Sequence, residues 1–225
     1  MKQNYSVLII EDVPITCDAY RLSLEELCLR DQFLEFEIDQ AYDCITGYEK
    51  IKNASKKNKI DSVFLDIKLP PNEEAKIYSG EDLGIKIRQI LPKTKIVVFT
   101  GYSDNFRIHT IFKSLNPEGF LIKNDFTSKE LLLALKTVLL DDIPYYSKTV
   151  LNLLRKQEVY SHFLLDKNDR QLLYELSMGT KIIEMSKKID LAKPTIEKRF
   201  YRLKEIFDVK NRNELIMVAK EKGFI

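Results

Sequence analysis

Cysteine and histidine are scarce in this sequence, which argues against two common kinds of site. The 225 residues include three cysteines and two histidines. Cys17, Cys28 and Cys44 are odd in number and show no CxxC spacing, so we expect reduced thiols rather than disulfides. His109 and His162 have no cysteine or histidine close by in the sequence, which argues against a metal site of ordinary spacing.

Long apolar runs are also missing. The first run, Val7–Ile10, is only four residues long, and none approaches the roughly 20 residues that a membrane-spanning helix needs. The opening Met1–Ser6 is polar and does not resemble a secretory signal peptide. With 44% hydrophobic and 31% charged residues, the composition is typical of a globular protein. We therefore expect a cytoplasmic chain with no membrane partner.

The net charge of +2 hides a difference between the two parts of the chain. Residues 1–162 carry 22 basic and 24 acidic side chains, a net charge of −2. Residues 163–225 carry 14 basic and 10 acidic side chains, a net charge of +4. A basic carboxyl-terminal part favours a polyanionic partner such as nucleic acid. The length leaves room for one large or two small domains.

Short apolar runs alternate with amphipathic stretches through the first part of the chain. The runs read as strands buried on both faces, and they cover residues 6–10, 36–38, 62–65, 96–99 and 119–122. Helical spacing marks the stretches 15–29, 80–90 and 129–140. In the first of these, Ala19, Leu22 and Leu27 are predicted to form the buried stripe. The alternation predicts an α/β fold, a doubly wound five-stranded parallel sheet with right-handed crossovers.

Charge and proline end the alternating pattern near Asp141–Pro144. No further strand is evident beyond this point, and helical patterns cover residues 169–178, 180–188, 193–207 and 212–222. We therefore predict an α/β domain over residues 1–143, a linker over residues 144–162 and a small all-α domain over residues 163–225. The linker is expected to contain a short helix, Ser147–Gln157.

Polar residues follow four of the five predicted strands. Glu11 and Asp12 follow the first strand and Asp66 the third, while Thr100 follows the fourth and Lys123 the fifth. Open α/β sheets bind ligands at the carboxyl edge of the strands, so we expect these side chains to converge there. Clustered carboxylates favour Mg²⁺, and a carboxylate can accept a phosphoryl group whose oxygens a lysine and a hydroxyl then hold. The pattern predicts phosphoryl chemistry at a Mg²⁺ site.

With these motifs in this order, residues 6–140 resemble the receiver domain of two-component response regulators. The matching segments are residues 7–12, 63–70, 96–101 and 119–123. The resemblance implies that Asp66 is the phosphoacceptor. It also implies that Glu11, Asp12, Asp66 and the backbone carbonyl of Lys68 hold Mg²⁺.

The same resemblance assigns contacts to the phosphoryl group and a switching role. It implies that Thr100 and Lys123 contact the phosphoryl group, and that Phe120 is a switch aromatic whose rotamer follows the movement of Thr100. One departure from the family is the loop Pro70–Ser79, which is longer than usual and borders Asp66. Neutral padding is the default expectation for it, because surface loops tolerate insertion cheaply. Shielding of an acyl phosphate and contact with a partner are the alternatives.

The stretch 193–207 has the layout of a helix with one apolar and one basic face. Residues 187–204 hold seven basic and only two acidic side chains. This is typical of a DNA recognition helix, although a solvated charged face is the simpler alternative. The apolar positions at helical spacing are Ile196, Phe200, Leu203 and Phe207.

Residues 165–225 resemble the LuxR-type helix-turn-helix domain of NarL/FixJ-like regulators. Asp190 stands where the family usually has glycine, and we expect a positive φ there, which Asp tolerates. The matching residues are Gly179, Glu184, Met185, Ile189, Thr195, Ile196, Leu203, Phe207, Val209, Asn211 and Arg212. The resemblance implies that three side chains face base edges, namely Glu197, Lys198 and Tyr201. It implies that four lie near phosphates, namely Lys193, Thr195, Arg199 and Arg202.

The leading hypothesis is a DNA-binding regulator that a sensor histidine kinase phosphorylates at Asp66. Phosphorylation would control dimerisation and binding to double-stranded promoter DNA, so that the active form is a homodimer. A second hypothesis makes the receiver a static dimerisation or docking module whose DNA binding is independent of phosphorylation. A haloacid-dehalogenase-like phosphatase would need a DxD motif, but Ile67 and Lys68 follow Asp66. We therefore expect no enzyme with its own substrate turnover.

Overall fold

A parallel sheet covered by helices is followed by a helical domain, which we define as residues 165–225. The computed structural model describes residues 3–57, 60–156 and 165–225. The strands are β1 (Gln3–Ile10), β2 (Leu34–Ala41), β3 (Ser62–Asp66), β4 (Lys95–Thr100), β5 (Gly119–Ile122) and β6 (Tyr145–Tyr146). The helices of the α/β domain are α1 (Pro14–Arg30), α2 (Cys44–Lys57), α3 (Gly80–Ile90), α4 (Asn105–Leu115), α5 (Ser128–Leu139) and α6 (Lys148–Arg155). Those of the helical domain are α7 (Lys167–Ser177), α8 (Ile182–Ile189), α9 (Lys193–Ile206) and α10 (Arg212–Glu221).

The sheet has the order β2-β1-β3-β4-β5-β6, and all of its neighbouring strands are parallel. The doubly wound α/β class is confirmed, but the prediction of five strands is wrong by one. The sixth strand lies in the segment predicted as linker, where the backbone of Tyr145 donates to Glu118 and that of Ser147 donates to Phe120. A strand of two residues is too short to show the alternation from which strands are predicted.

Helices pack on both faces of the sheet. One apolar layer lies under α2, α3, α4 and α6, and the other lies under α1 and α5. The predicted stripe of α1 is partly wrong, because Leu22 is 58% exposed and Ala19 is exposed as well. The buried side of α1 is formed instead by Cys17, Tyr20, Leu24 and Leu27. This helix carries apolar residues on two sides, so spacing alone does not identify the side that faces the sheet.

Helix α6 of the predicted linker packs on the α/β domain. It begins after Ser147, whose hydroxyl accepts a hydrogen bond from the backbone of Val150, and it contacts α4 through a hydrogen bond between His109 Nε2 and the carbonyl of Leu153. The end of the predicted helix at Gln157 lies outside the described residues, as do His162 and the predicted start of the helical domain at residue 163.

The helical domain closes around its own apolar core. Asp166 caps α7 by accepting a hydrogen bond from the backbone N–H of Asp169. Gly179 lies just after the carboxyl-terminal end of α7 and adopts a φ of +80°. Asp190 adopts φ 59°, as expected at a position where the family it resembles usually has glycine. The predicted apolar face of α9 points inward, with Ile196 and Leu203 fully buried in the core. Its opposite face is thereby left toward solvent.

Candidate functional site

Polar residues at the carboxyl-terminal ends of β1, β3 and β5 meet at one edge of the sheet. The ammonium group of Lys123 lies 2.9 Å from Asp66 Oδ2 and 2.7 Å from Glu11 Oε2. One carboxylate oxygen from each of Glu11, Asp12 and Asp66 lies within 4.8 Å of the other two. Glu11 and Asp66 are buried, whereas Asp12 is exposed. The edge thus holds three carboxylates and one cation, with an opening on the side of Asp12.

The carboxylate of Asp66 is held in a fixed orientation. Every residue of β3 is buried, and the chain turns directly after the strand. The backbone N–H groups of Ile67 and Lys68 donate to Asp66 Oδ1 at 2.7 and 3.3 Å, while Lys123 donates to Oδ2 at 2.9 Å. Each oxygen of the carboxylate therefore has its own donors, and the group is aimed by both backbone and side chain.

Burial and mutual contact shift the pKa of each charged group at this edge. Burial raises the pKa of Glu11 to about 6, despite the hydrogen bond from Lys123. Burial also raises the pKa of Asp66 above its ordinary value, although Lys123 and the backbone donors oppose this. Burial lowers the pKa of Lys123, but its contacts with Asp66 and Glu11 outweigh this and raise the pKa overall. The lysine is therefore a permanent cation beside two carboxylates that retain protons more readily than usual.

The donor set fits a magnesium ion. Three converging carboxylates supply the hard oxygen ligands that Mg²⁺ prefers, and the exposed position of Asp12 leaves room for water ligands. Two buried carboxylates that share a single lysine remain short of positive charge, which a divalent cation would supply. Glu11, Asp12, Asp66 and the backbone carbonyl of Lys68 are the groups that would hold it.

Magnesium binding is expected to weaken in acid. Because the pKa of Glu11 is about 6, this group carries a proton in most molecules below that pH, and a metal must displace it. For one competing proton, the apparent affinity should fall by about tenfold between pH 7 and pH 5. Calorimetric titration with Mg²⁺ at the two pH values measures the difference. Glu11→Gln should bind more weakly and lose part of the dependence, whereas equal wild-type affinities at both pH values would contradict the assignment.

Gly80 at the start of α3 touches the backbone of the site. Its N–H donates to the carbonyl of Ile67 at 2.9 Å, and a Cβ atom built on it would lie 1.8 Å from the carbonyl oxygen of Asp66. Backbone atoms cannot move aside as the end of a flexible side chain can. The long loop before α3 therefore ends at a fixed point directly beside the predicted phosphoacceptor.

Gly80→Ala should destabilise the protein far more than the same change at Gly101. The clash at Gly80 is with backbone, and we expect a loss of about 3 kcal/mol or more in the free energy of unfolding. A Cβ on Gly101 meets nothing within 4 Å, so Gly101→Ala should change this free energy by less than about 1 kcal/mol. Urea unfolding of both variants measures the difference, and losses of similar size would contradict the steric clash expected at Gly80.

The two predicted switch residues, Thr100 and Phe120, are both buried. Thr100 is buried at the end of β4, where its hydroxyl oxygen accepts a hydrogen bond from the backbone N–H of Tyr102 at 3.1 Å. Phe120 is fully buried in β5 and pairs in register with Tyr146 of β6. The sixth strand therefore lies directly beside the predicted switch aromatic. The switching roles of Thr100 and Phe120 stay predictions.

The polar face of α9 is open to solvent. Tyr201 is 60% exposed, and Lys193, Thr195 and Lys198 are exposed along the same helix. Glu197 is half-buried, and its carboxylate lies 3.6 Å from the ammonium group of Lys193. A helix with one buried face and one exposed, mostly basic face can enter a groove lined by phosphates.

Both arginines that were predicted to lie near phosphates form ion pairs within the domain. Arg199 lies 2.8 Å from both Asp166 and Asp169, and Arg202 forms an ion pair with the buried Asp169. A phosphate group would have to share these arginines with carboxylates of α7 and its cap. The two aspartates were not predicted as partners of these arginines, although the spacing of the capping box Asp166–Asp169 can be read from the sequence.

Comparison with solved structures supports the fold, whereas comparison of the sequence finds no match. No protein-family model matches the chain, and no curated protein sequence matches it. RcsB from Salmonella enterica serovar Typhimurium, bound to promoter rprA in the presence of the phosphomimetic BeF3-, has a TM-score of 0.67 at 20% identity, with 97% of this chain and 99% of that chain covered. The structure of the two-component response regulator RcsB in complex with DNA has a TM-score of 0.58 at 21% identity, with 97% and 98% covered. The chain therefore has the fold of a receiver domain joined to a helix-turn-helix domain.

Proposed function

We propose that this chain is a DNA-binding response regulator of a two-component phosphorelay, in which phosphorylation of Asp66 controls binding to promoter DNA. One observation carries the proposal. A single ammonium group, that of Lys123, lies within 3 Å of both Asp66 and Glu11 at the carboxyl edge of the sheet. An arrangement of a fixed carboxylate, a neighbouring cation and further acidic ligands suits transfer of a phosphoryl group.

The chemistry follows from the positions of these side chains. A carboxylate oxygen of Asp66 attacks the phosphorus atom, a new oxygen–phosphorus bond forms, and the bond to the donor's leaving group breaks. Lys123 and Thr100 then hold oxygens of the transferred group. When bound by Glu11, Asp12, Asp66 and the carbonyl of Lys68, Mg²⁺ would supply positive charge that offsets the charge of the phosphoryl group.

The helical domain supplies the DNA-binding half of the proposal. Its exposed α9 would enter the major groove of double-stranded DNA, with Lys198 and Tyr201 toward base edges and Lys193 and Thr195 near phosphates. RcsB, whose fold the chain shares, is bound to promoter rprA in one of the two structures compared above and to DNA in the other. We propose a homodimer on a two-fold site as the active form.

The remaining partners follow from the same proposal. A sensor histidine kinase would supply the phosphoryl group, and the chain would act in the cytoplasm. Among the described residues, no helix has both the length and the apolar character needed to cross a membrane. Beyond its own phosphorylation and dephosphorylation, we propose no substrate that the chain turns over.

The test is the binding of duplex DNA from a random-sequence pool, with and without beryllofluoride and Mg²⁺. Wild type should bind the duplex selected from this pool more tightly when beryllofluoride occupies Asp66. Asp66→Asn should bind this duplex with the same affinity under both conditions. DNA binding by wild type that does not respond to beryllofluoride would favour the second candidate, a receiver that is only a docking module. The hydrogen bond that the hydroxyl of Tyr174 in α7 donates to Glu73 of the 70–79 loop favours this second candidate.

A further inference from the structure

Arg199 and Arg202 of α9 lie on the face that the proposed function turns toward DNA. They line one recess together with Thr195, Lys198 and Tyr201, which are exposed along the same helix. Both arginines can be reached from solvent, with 22% and 44% of their side chains exposed. Arginines at such a place ordinarily bind phosphates of the DNA backbone. In this chain, however, carboxylates already hold both guanidinium groups.

Two aspartates at the start of α7 neutralise these arginines. Arg199 Nη1 donates to Asp166 Oδ2 and to Asp169 Oδ1, each at 2.8 Å, and Arg202 forms an ion pair with Asp169. The four side chains carry two positive and two negative charges, so their charges cancel. The basic character of residues 187–204 in the sequence therefore overstates the positive charge that α9 offers to DNA.

The two aspartates differ in how much they depend on the arginines. Asp169 is fully buried, and a buried carboxylate that loses its cation is strongly unfavourable. The side chain of Asp166 is 50% exposed, so water can take the place of Arg199 around its carboxylate at little cost. One arginine is enough to balance the charge of Asp169, and the other would remain available to a phosphate. Asp166 cancels the charge of this second arginine.

Asp166 also caps α7, and this second role does not require its charge. Its Oδ1 accepts a hydrogen bond from the backbone N–H of Asp169 at 2.9 Å. Asparagine and serine cap helices about as well as aspartate does. Burial raises the pKa of Asp166, but hydrogen bonds from the backbone of Asp169 and from Arg199 outweigh this and lower the pKa overall. The carboxylate is therefore charged at neutral pH, and a neutral capping residue would remove this charge while keeping the start of the helix.

We propose that Asp166 competes with DNA phosphates for Arg199 and thereby weakens binding of the chain to DNA of any sequence. A phosphate that approaches Arg199 must displace a carboxylate held at 2.8 Å and then lies close to its negative charge. Phosphate contacts supply nearly all of the affinity for non-specific DNA, whereas base contacts remain at a specific site. Asp166 thus limits the sequence-independent part of binding. The inference rests on the proposed function, because it concerns the same DNA-binding face.

The test compares the full chain of wild type with that of Asp166→Asn, using fluorescence anisotropy with a duplex of random sequence at several salt concentrations. The variant leaves one positive charge uncancelled beside Arg199, so it should bind more tightly, and its affinity should fall more steeply with salt. One additional phosphate contact steepens the slope of log affinity against log salt by about 0.9, which is about eightfold for each tenfold change in salt. We therefore expect binding to be about fivefold tighter or more at about 0.1 M salt.

Glu221→Gln is the matched control, because it removes one negative charge from an exposed position at the end of α10. Asp166→Ser removes the same charge as Asp166→Asn with a different capping residue, and both variants should gain affinity. Affinity and salt slope equal to those of wild type in both variants would overturn the inference, as would tighter binding by only one of them. An equal gain in Glu221→Gln would also overturn it, since general charge would then account for the effect. If wild type binds no duplex even with beryllofluoride and Mg²⁺, the proposed function fails first.

Discussion

Asp66→Asn is expected to abolish uptake of the phosphoryl group from acetyl phosphate, whereas wild type should take up one group per chain. The amide of asparagine is not a nucleophile that can form an acyl phosphate. Its oxygen can still accept the hydrogen bonds that the backbone of Ile67 and Lys68 gives to Asp66 Oδ1, so the turn after β3 should persist. Intact-protein mass spectrometry after incubation with acetyl phosphate and Mg²⁺ measures the uptake.

The matched control for this variant is Asp39→Asn. Asp39 lies in β2 with a largely exposed carboxylate that pairs with Lys50, so the substitution makes the same chemical change away from the site. It should leave uptake at the wild-type level. Equal uptake by Asp66→Asn and wild type would mean that another residue is the phosphoacceptor. The proposed function would then lose its basis.

Lys198→Ala should weaken binding to a duplex selected by the activated wild type by about tenfold or more, equivalent to ~1–3 kcal/mol. Lys198 is exposed on the outer face of α9, so its removal should leave the core of the domain unchanged. Arg199 and Arg202 are poorer choices, because each pairs with the buried Asp169 and its loss would unbalance a buried charge. Fluorescence anisotropy at several salt concentrations measures both affinity and its salt dependence.

Lys220→Ala is the control for the loss of one positive charge. Lys220 is exposed in the last turn of α10, outside the predicted recognition helix. Its removal should change affinity much less than removal of Lys198. A reduction of the same size in both variants would mean that general charge attraction, rather than insertion of α9 into a groove, accounts for binding.

The carboxyl edge of the sheet was the most predictable part of the molecule. A parallel sheet places the ends of its strands along one edge, so Glu11, Asp66 and Lys123 could be expected to meet from their positions alone. The structure adds what position cannot give, namely that one lysine contacts both carboxylates and that Tyr102 hydrogen-bonds to Thr100. Hydrogen bonds of this kind depend on side-chain rotamers, which the strand pattern does not determine.

Contacts between distant segments that the order of the strands does not bring together were not predictable. The pairing of Tyr174 with Glu73 joins residues 101 positions apart, and Arg170 meets Asp82 across 88 positions. Neither residue type signals such a partner by itself, so the 70–79 loop was expected to be padding. The two-residue β6 and the buried side of α1 were missed for a related reason, because packing decides both and local periodicity does not.

Analytical ultracentrifugation tests the central claim most directly, with wild type and Asp66→Asn each measured with and without beryllofluoride and Mg²⁺. If Asp66 is a phosphoryl-controlled switch, wild type alone should change its mass or shape when beryllofluoride is added, and Asp66→Asn should sediment identically under both conditions. If neither protein responds, or if both respond equally, occupation of Asp66 does not control assembly and the chain is not the switch proposed here.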